Sequence, residues 1–170
     1  VYGVTKLKAE QYLLASHCRY HIIRTGWVYA ENGSNFVKTI LRLATEREQL
    51  GVVVDQIGTP TYATHLAEMI WRIIARQPAS ALWHFSDAGT ASWYDFANAI
   101  VEEAVHLGLL VQAPTIKPIK TIEFPTPAVR PAYSVLDKTF AWQQLDIEPV
   151  HWRSALRKML IALHKMKTVV

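Results

Sequence analysis

Three short apolar runs, each followed by a stretch with helical spacing, constrain this chain more than anything else in it. The runs are "YHIIRT", "LGVVVD" and "ALWHFSD". They are short, rich in β-branched or aromatic residues and closed by turn formers, the pattern of strands buried on both faces. After the first comes the loop "GWVYAENGSN", with Asn32-Gly33 as its turn, and then helical spacing over 35–48 through Phe36, Val37, Ile40, Leu41 and Ala44. The second run is closed by "QIGTPT" and precedes a helix over about 62–76 that places Ala63, Leu66, Ala67, Ile70, Ile73 and Ile74 on one side. After the third, Ser92 is positioned to cap a helix carrying Trp93, Phe96, Ala97, Ile100, Val101 and Ala104, although a strict capping box has Glu or Gln where Asp95 stands. Strands without a polar face need cover on both sides, and helices alternating with them supply it. The expected class is therefore α/β with a mainly parallel sheet.

Further helices are predicted over 2–17, from about Asp137 in "SVLDKTFAWQQL", and over 151–166 on a stripe of Trp152, Leu156, Met159, Leu160 and Leu163. Residues 112–133 hold Pro114, Pro118, Pro125, Pro127 and Pro131, and are expected to be extended and rich in loop. This second half resembles a cap or substrate lobe more than continued sheet.

With 170 residues, 51% hydrophobic and 19% charged, the chain can bury one domain-sized core. Its net charge of +4 is too small, and too dispersed, to point to nucleic acid; an anionic small molecule suits it as well. The basic residues of the last helix, Arg153, Arg157, Lys158, Lys165 and Lys167, read as a solvated face. A lone Cys18 rules out an internal disulfide and fits a reducing cytoplasm. His17 and His21 flank it without a second cluster, so zinc is not expected. Trp93 and Trp152 fall on helical stripes, which favours packing over base stacking. No apolar run reaches the ~18–20 residues of a membrane helix and no secretory pattern is present, so the expectation is a soluble cytoplasmic protein.

The opening "VYGVTKLKAE" carries chemistry. Tyr2 and Lys6 are spaced i, i+4, which on a helix places phenol and ammonium on one face. An ammonium beside a phenol stabilises the phenolate, and the pair can pass a proton to a carbonyl oxygen while hydride arrives at carbon. Spacing alone also describes the first turn of any surface helix.

Taken in order, "VYGVTKLKAE", "HIIRTGWVY", "NFVKTIL", "VVVDQIGTPTYATHLA", "WHFSDAGTASWYDFANAI" and "RPAYSVLD" resemble the C-terminal part of the dTDP-4-dehydrorhamnose reductase family, within the extended short-chain dehydrogenase/reductase superfamily. The Tyr-x-x-x-Lys pair is generic to the superfamily, whereas "RTGWVY", "DQIGTPTY" and "RPAYSVLD" belong to the rhamnose branch. The resemblance implies NAD(P)H-dependent reduction of the C4 ketone of dTDP-4-dehydro-L-rhamnose, in bacterial nucleotide-sugar and polysaccharide biosynthesis. The fold implied is the C-terminal portion of a Rossmann-like doubly wound sheet (1–60) plus a smaller, mainly helical substrate-binding lobe mixed with remaining strands (61–170).

By this resemblance Tyr2 would donate the proton, and Lys6 would ease its release and bond the nicotinamide ribose. Thr25 and Gly26 would flank the nicotinamide at the end of a strand. Trp27 would pack on the sugar, or else be core. Asn35 and Phe36 open a helix whose N-terminus would face the diphosphate. Gln56, Pro60 and Thr61 would line the nucleotide pocket, unless Gly58 and Pro60 only shape a turn. Arg130 is either a diphosphate partner or half of a structural salt bridge.

Two departures stand against the pattern. Gly26 occupies a position where the family usually has serine, and no glycine-rich pyrophosphate loop or upstream Ser/Thr is present. Several βαβ units of ~30 residues would have to precede Tyr2, so the sequence reads as a fragment, inactive by itself. NADPH or NADH as cofactor, a bound magnesium ion and a homodimer stay open. So does a second function class, a non-catalytic regulatory subunit of the same fold like the β subunit of methionine adenosyltransferase. The Tyr2/Lys6 pair favours the enzyme.

Overall fold

The structure is a computed structural model that describes residues 1–79 and 82–168. Its elements run in order as α1 (Tyr2–Ala15), β1 (Ile22–Arg24), β2 (Val28–Tyr29), α2 (Phe36–Glu46), β3 (Gln49–Val53), β4 (Ile57–Gly58), β5 (Thr61–Tyr62), α3 (Ala63–Arg76), β6 (Leu82–His84), β7 (Ala91–Ser92), α4 (Trp93–His106), β8 (Thr115–Ile119), a short 3₁₀ turn (Thr121–Glu123), α5 (Thr139–Leu145) and α6 (Trp152–Thr168). The class is α/β, as expected. Among the described residues the strands pair two by two: β1 with β6, β2 with β5 and β3 with β8 are parallel, and β4 with β7 is antiparallel. Ala81, the first residue of the third predicted run, lies outside the described residues.

Several expectations need correction. The loop predicted after "YHIIRT" contains β2, and "QIGTPT" contains β4 and the first residue of β5; two-residue strands are too short to show a period in sequence. The proline-punctuated stretch is extended, as expected, but part of it is a paired strand and not loop: the five residues of β8 pair with β3 from Gln49–Thr115 to Val53–Ile119. Pro118 lies opposite Val52. A proline lacks a ladder donor and is confined to edges, and β8 has only β3 beside it among the described residues. At α4 the capping box forms with aspartate: Ser92 Oγ accepts from Asp95 N at 3.0 Å, and Asp95 Oδ2 accepts from Ser92 N at 2.9 Å. Asp95 thus satisfies the orphan donors that the strict rule reserves for a longer acid.

Two apolar clusters hold the molecule. One joins α3, β6 and α5 through Met69, Ile73, Trp83, Phe85, Ala141 and Leu145. The larger joins α2, β3, α4 and α6, with Val37, Ile40, Leu50, Phe96, Ile100 and Leu156 among its members. The larger draws on residues before and after position 60, whereas the buried members of the smaller all follow it and only the partly buried Ile23 packs on it from before. The predicted stripe of α6 is buried, and Arg153 and Arg157 on its other side are exposed, paired with Glu102 and Glu103 of α4.

α1 is different. It buries no residue, and Tyr2, Val4, Leu7, Tyr12, Leu13 and Leu14 are all exposed. It is tied to β1 by a fork in which Arg24 Nε and Nη2 donate to the two carboxylate oxygens of Glu10, at 2.9 and 2.6 Å. That guanidinium holds the Glu10 carboxyl below its usual value.

Phe96 is 1% exposed and touches the rings of Trp27, Tyr29, Phe36 and Trp152. Phe96→Ala should lower stability by about 3–5 kcal/mol, measured as the urea midpoint at unchanged slope.

Candidate active site

β1 delivers the chain to Thr25, Gly26 and Trp27, and a buried threonine holds that segment. Thr61 Oγ1 donates to the Gly26 carbonyl at 2.7 Å, and Thr61 N donates to the Trp27 carbonyl at 3.1 Å. Thr25 Oγ1 reaches Thr61 Oγ1 only at 3.4 Å. Trp27 has a left-handed backbone at φ 52°, unusual for a bulky side chain. Its indole lies flat on Trp93, with ring centres 3.5 Å apart and planes 9° from parallel. Gly58 makes room for it, since a Cβ there would come within 2.6 Å of Trp27 Cε2. Phe36 completes the group, 4.7 Å from Trp93 and 5.6 Å from Phe96. Trp27 is thus half-buried, with one side in an aromatic wall.

Behind the wall runs a polar chain. Trp93 Nε1 donates to Gln56 Oε1 at 3.2 Å, and Gln56 Nε2 donates to Thr121 Oγ1 at 3.1 Å. Thr121 donates from its hydroxyl to Asp55 Oδ1 at 2.7 Å and from its backbone N at 2.9 Å. The hydroxyl hydrogen bond, foremost, holds the Asp55 carboxyl below its ordinary value. Ile57, two residues on, donates its N–H to Ala132 and accepts from Ser134 N, both at 2.8 Å. The loop that carries Arg130 therefore starts and ends on the segment 55–57. Arg130 is exposed and has no acidic partner among the described residues, so the structural salt bridge considered from sequence is not formed.

Asn35 caps α2: its Oδ1 accepts from Lys38 N at 3.2 Å and its Nδ2 donates to the Ala30 carbonyl at 2.7 Å. Pro60 is fully buried beside Thr61. The structure thus gathers Thr25, Gly26, Trp27, Phe36, Gln56, Pro60 and Thr61 around one aromatic wall. Tyr2 and Lys6 stand apart on α1, with Lys6 Nζ over the Tyr2 ring at 5.5 Å from its centre and Tyr2 76% exposed. Their link to the group runs through Glu10 and Arg24.

A second polar cluster was not anticipated. Asp87, 3% exposed, accepts from Tyr62 N at 2.9 Å and bonds His65 Nδ1 at 2.7 Å, while the Tyr62 hydroxyl bonds Glu31. Tyr29 lies beside them with a buried hydroxyl that has no hydrogen-bond partner among the described residues, and burial, foremost, pushes its phenol far up. Among the described residues no group of three or more acidic, histidine or cysteine side chains could hold a metal ion, and no helix is long and apolar enough to cross a membrane.

This arrangement has known counterparts. Residues 1–165 match the family described as the RmlD substrate binding domain. The chain belongs to this family. It is 42% identical over 164 residues to the dTDP-4-dehydrorhamnose reductase of Aggregatibacter actinomycetemcomitans, covering 94% of this chain and 56% of that protein. The Escherichia coli protein of the same name is 41% identical over 165 residues, covering 94% and 55%. Among solved structures, the Bacillus anthracis dTDP-4-dehydrorhamnose reductase in complex with NADP superimposes with a TM-score of 0.86 at 35% identity, over 95% of this chain and 55% of that one. The chain thus spans about half the length of the curated relatives it matches.

In this member of the RmlD substrate binding domain family, the sequence pointed to Trp27, Gln56 and Thr61 as candidates but not to the residues that hold them in place. Asp55 lies inside the quoted block "DQIGTPTY" and could have been weighed with Gln56. Thr121 had no local mark at all, since its partners are 65 and 66 residues away.

Gly58→Ala should force the Trp27 indole off Trp93, with a loss of about 1–3 kcal/mol and a weakened near-ultraviolet tryptophan circular dichroism band. An unchanged band would mean that the indole is not held by this contact.

Proposed function

We propose that this chain is the substrate-binding and proton-donating part of a nicotinamide-dependent reductase that acts on the C4 ketone of dTDP-4-dehydro-L-rhamnose, giving dTDP-L-rhamnose. The observation that carries the reading is the Tyr2/Lys6 pair, borne on a helix that Glu10 ties to the strand end leading into Thr25, Gly26 and Trp27. The names of the relatives supply the reaction, and the NADP held by the Bacillus anthracis structure supports NADPH over NADH.

A reduced nicotinamide, when bound, supplies hydride to the ketone carbon. Tyr2 donates its phenolic proton to the ketone oxygen. Lys6, on the same helical face, stabilises the negative charge left on the phenol oxygen and reaches the ribose. Thr25 and Gly26 lie at the C-terminal end of β1, where open α/β sheets receive ligands. Trp27 offers its exposed surface to the sugar, backed by Trp93. Arg130 and the N-terminus of α2 at Asn35 and Phe36 face the diphosphate, and Gln56, Pro60 and Thr61 support the nucleotide pocket from behind.

The residues present fit only the nicotinamide end of the cofactor. A dinucleotide pyrophosphate is cradled by a glycine-rich turn at a helix N-terminus, and the seven glycines here form no G-x-G-x-x-G. The reaction therefore belongs to a protein in which this chain works with a dinucleotide-binding segment.

In such a protein Tyr2→Phe should lower turnover by about 10²–10⁴, with dTDP affinity unchanged by calorimetry; unaffected turnover would reject the proton-donor role. The chain tested alone should show no measurable heat of binding with NADPH, and micromolar binding would show that it holds a pyrophosphate site of its own.

A further inference from the structure

The amide of Gln56 has only one orientation that satisfies its surroundings. An indole N–H can only donate, so the oxygen faces Trp93 and the NH₂ faces Thr121. The Thr121 hydroxyl has one proton, and a carboxylate can only accept; that proton goes to Asp55 and a lone pair is left for Gln56. Each group fixes the next, and the series begins at the Trp27–Trp93 stack and ends where the Arg130 loop leaves the body of the protein. The loop returns two residues from Asp55, at Ile57. Gln56, expected from sequence to line the nucleotide pocket, is 9% exposed and has both ends of its amide engaged by protein.

We propose that Thr121 is a positioning residue: through Gln56 and Asp55 it sets the Arg130 loop against the Trp27–Trp93 stack, so that the diphosphate-facing and sugar-facing parts of the site keep a fixed separation. This rests on the reading of Trp27 and Arg130 given above. A rigid separation matters because a nucleotide sugar is held at both ends at once. Its binding then depends on the ends being placed beforehand rather than ordered on arrival. Thr121 needs no contact with the ligand to have this effect. Its side chain is partly buried, and each of its polar atoms already faces a protein partner.

The test compares Thr121→Val, which keeps the shape and loses both hydroxyl hydrogen bonds, with Thr121→Ser, which keeps both. In the reductase, Thr121→Val should raise KM for the nucleotide sugar about five- to tenfold, the scale of one or two lost hydrogen bonds, with kcat within about threefold. Amide hydrogen exchange over 122–130 should accelerate in the same variant. Thr121→Ser should match the unaltered protein in both readouts. Unchanged KM and exchange in the valine variant would overturn the proposal. So would an equal KM rise in the serine variant, or a fall in kcat that tracks lost thermal stability. A protein without activity on this substrate, whose loop exchange still separates valine from serine, would overturn the reductase reading and support the anchoring role of Thr121.

Discussion

The site depends on one contact, the flat packing of Trp27 on Trp93 across Gly58. It links the segment that leaves β1 to the first turn of α4, two elements far apart in the chain. The left-handed backbone at Trp27 is costly for a residue with a bulky side chain, and it persists because the surroundings leave no alternative. Thr61 holds the carbonyls on either side, Gly58 removes the atom that would collide, and Phe36 and Phe96 close the wall. Apolar burial provides the force, since aromatic groups of this size dominate packing energetics. The hydrogen bonds choose the geometry.

That division of labour recurs behind the wall. Asp55, Gln56, Thr121 and Trp93 form a short series of hydrogen bonds at the base of an otherwise exposed loop, where apolar packing offers little. Exposed hydrogen bonds contribute about 1 kcal/mol or less each, yet they are directional, and direction is what a loop without a core lacks. The buried cluster of Asp87, His65, Tyr62 and Glu31 plays the matching part at the start of α3, where it joins the strand pair β2–β5 to the segment after β6.

α1 stands in contrast to both. It has exposed apolar residues and is fastened to β1 by a charged fork, and it bears Tyr2 and Lys6. Tyr2 and Lys6 meet within the first turn, because i, i+4 spacing brings phenol and ammonium together without help from tertiary structure. The Glu10–Arg24 pair fastens this helix to β1, the strand that leads into Trp27.

The alternation of apolar runs and helical spacing determined the class by itself, because periodicity reports burial directly and both are local. The long helices, the buried stripe of α6, the Ser92 cap and the Tyr2/Lys6 pair were legible for the same reason. So were the blocks that mark the family. Strands of two residues could not be read, and β8 was hidden behind Pro118, which ordinarily argues against a strand. Only the tertiary structure decided that Trp27 lies on Trp93, that Gln56 turns inward, and that Arg130 lacks an acidic partner among the described residues. Those outcomes rest on contacts between residues tens of positions apart, whose partners are set by how the helices and strands pack and not by any pattern along the chain.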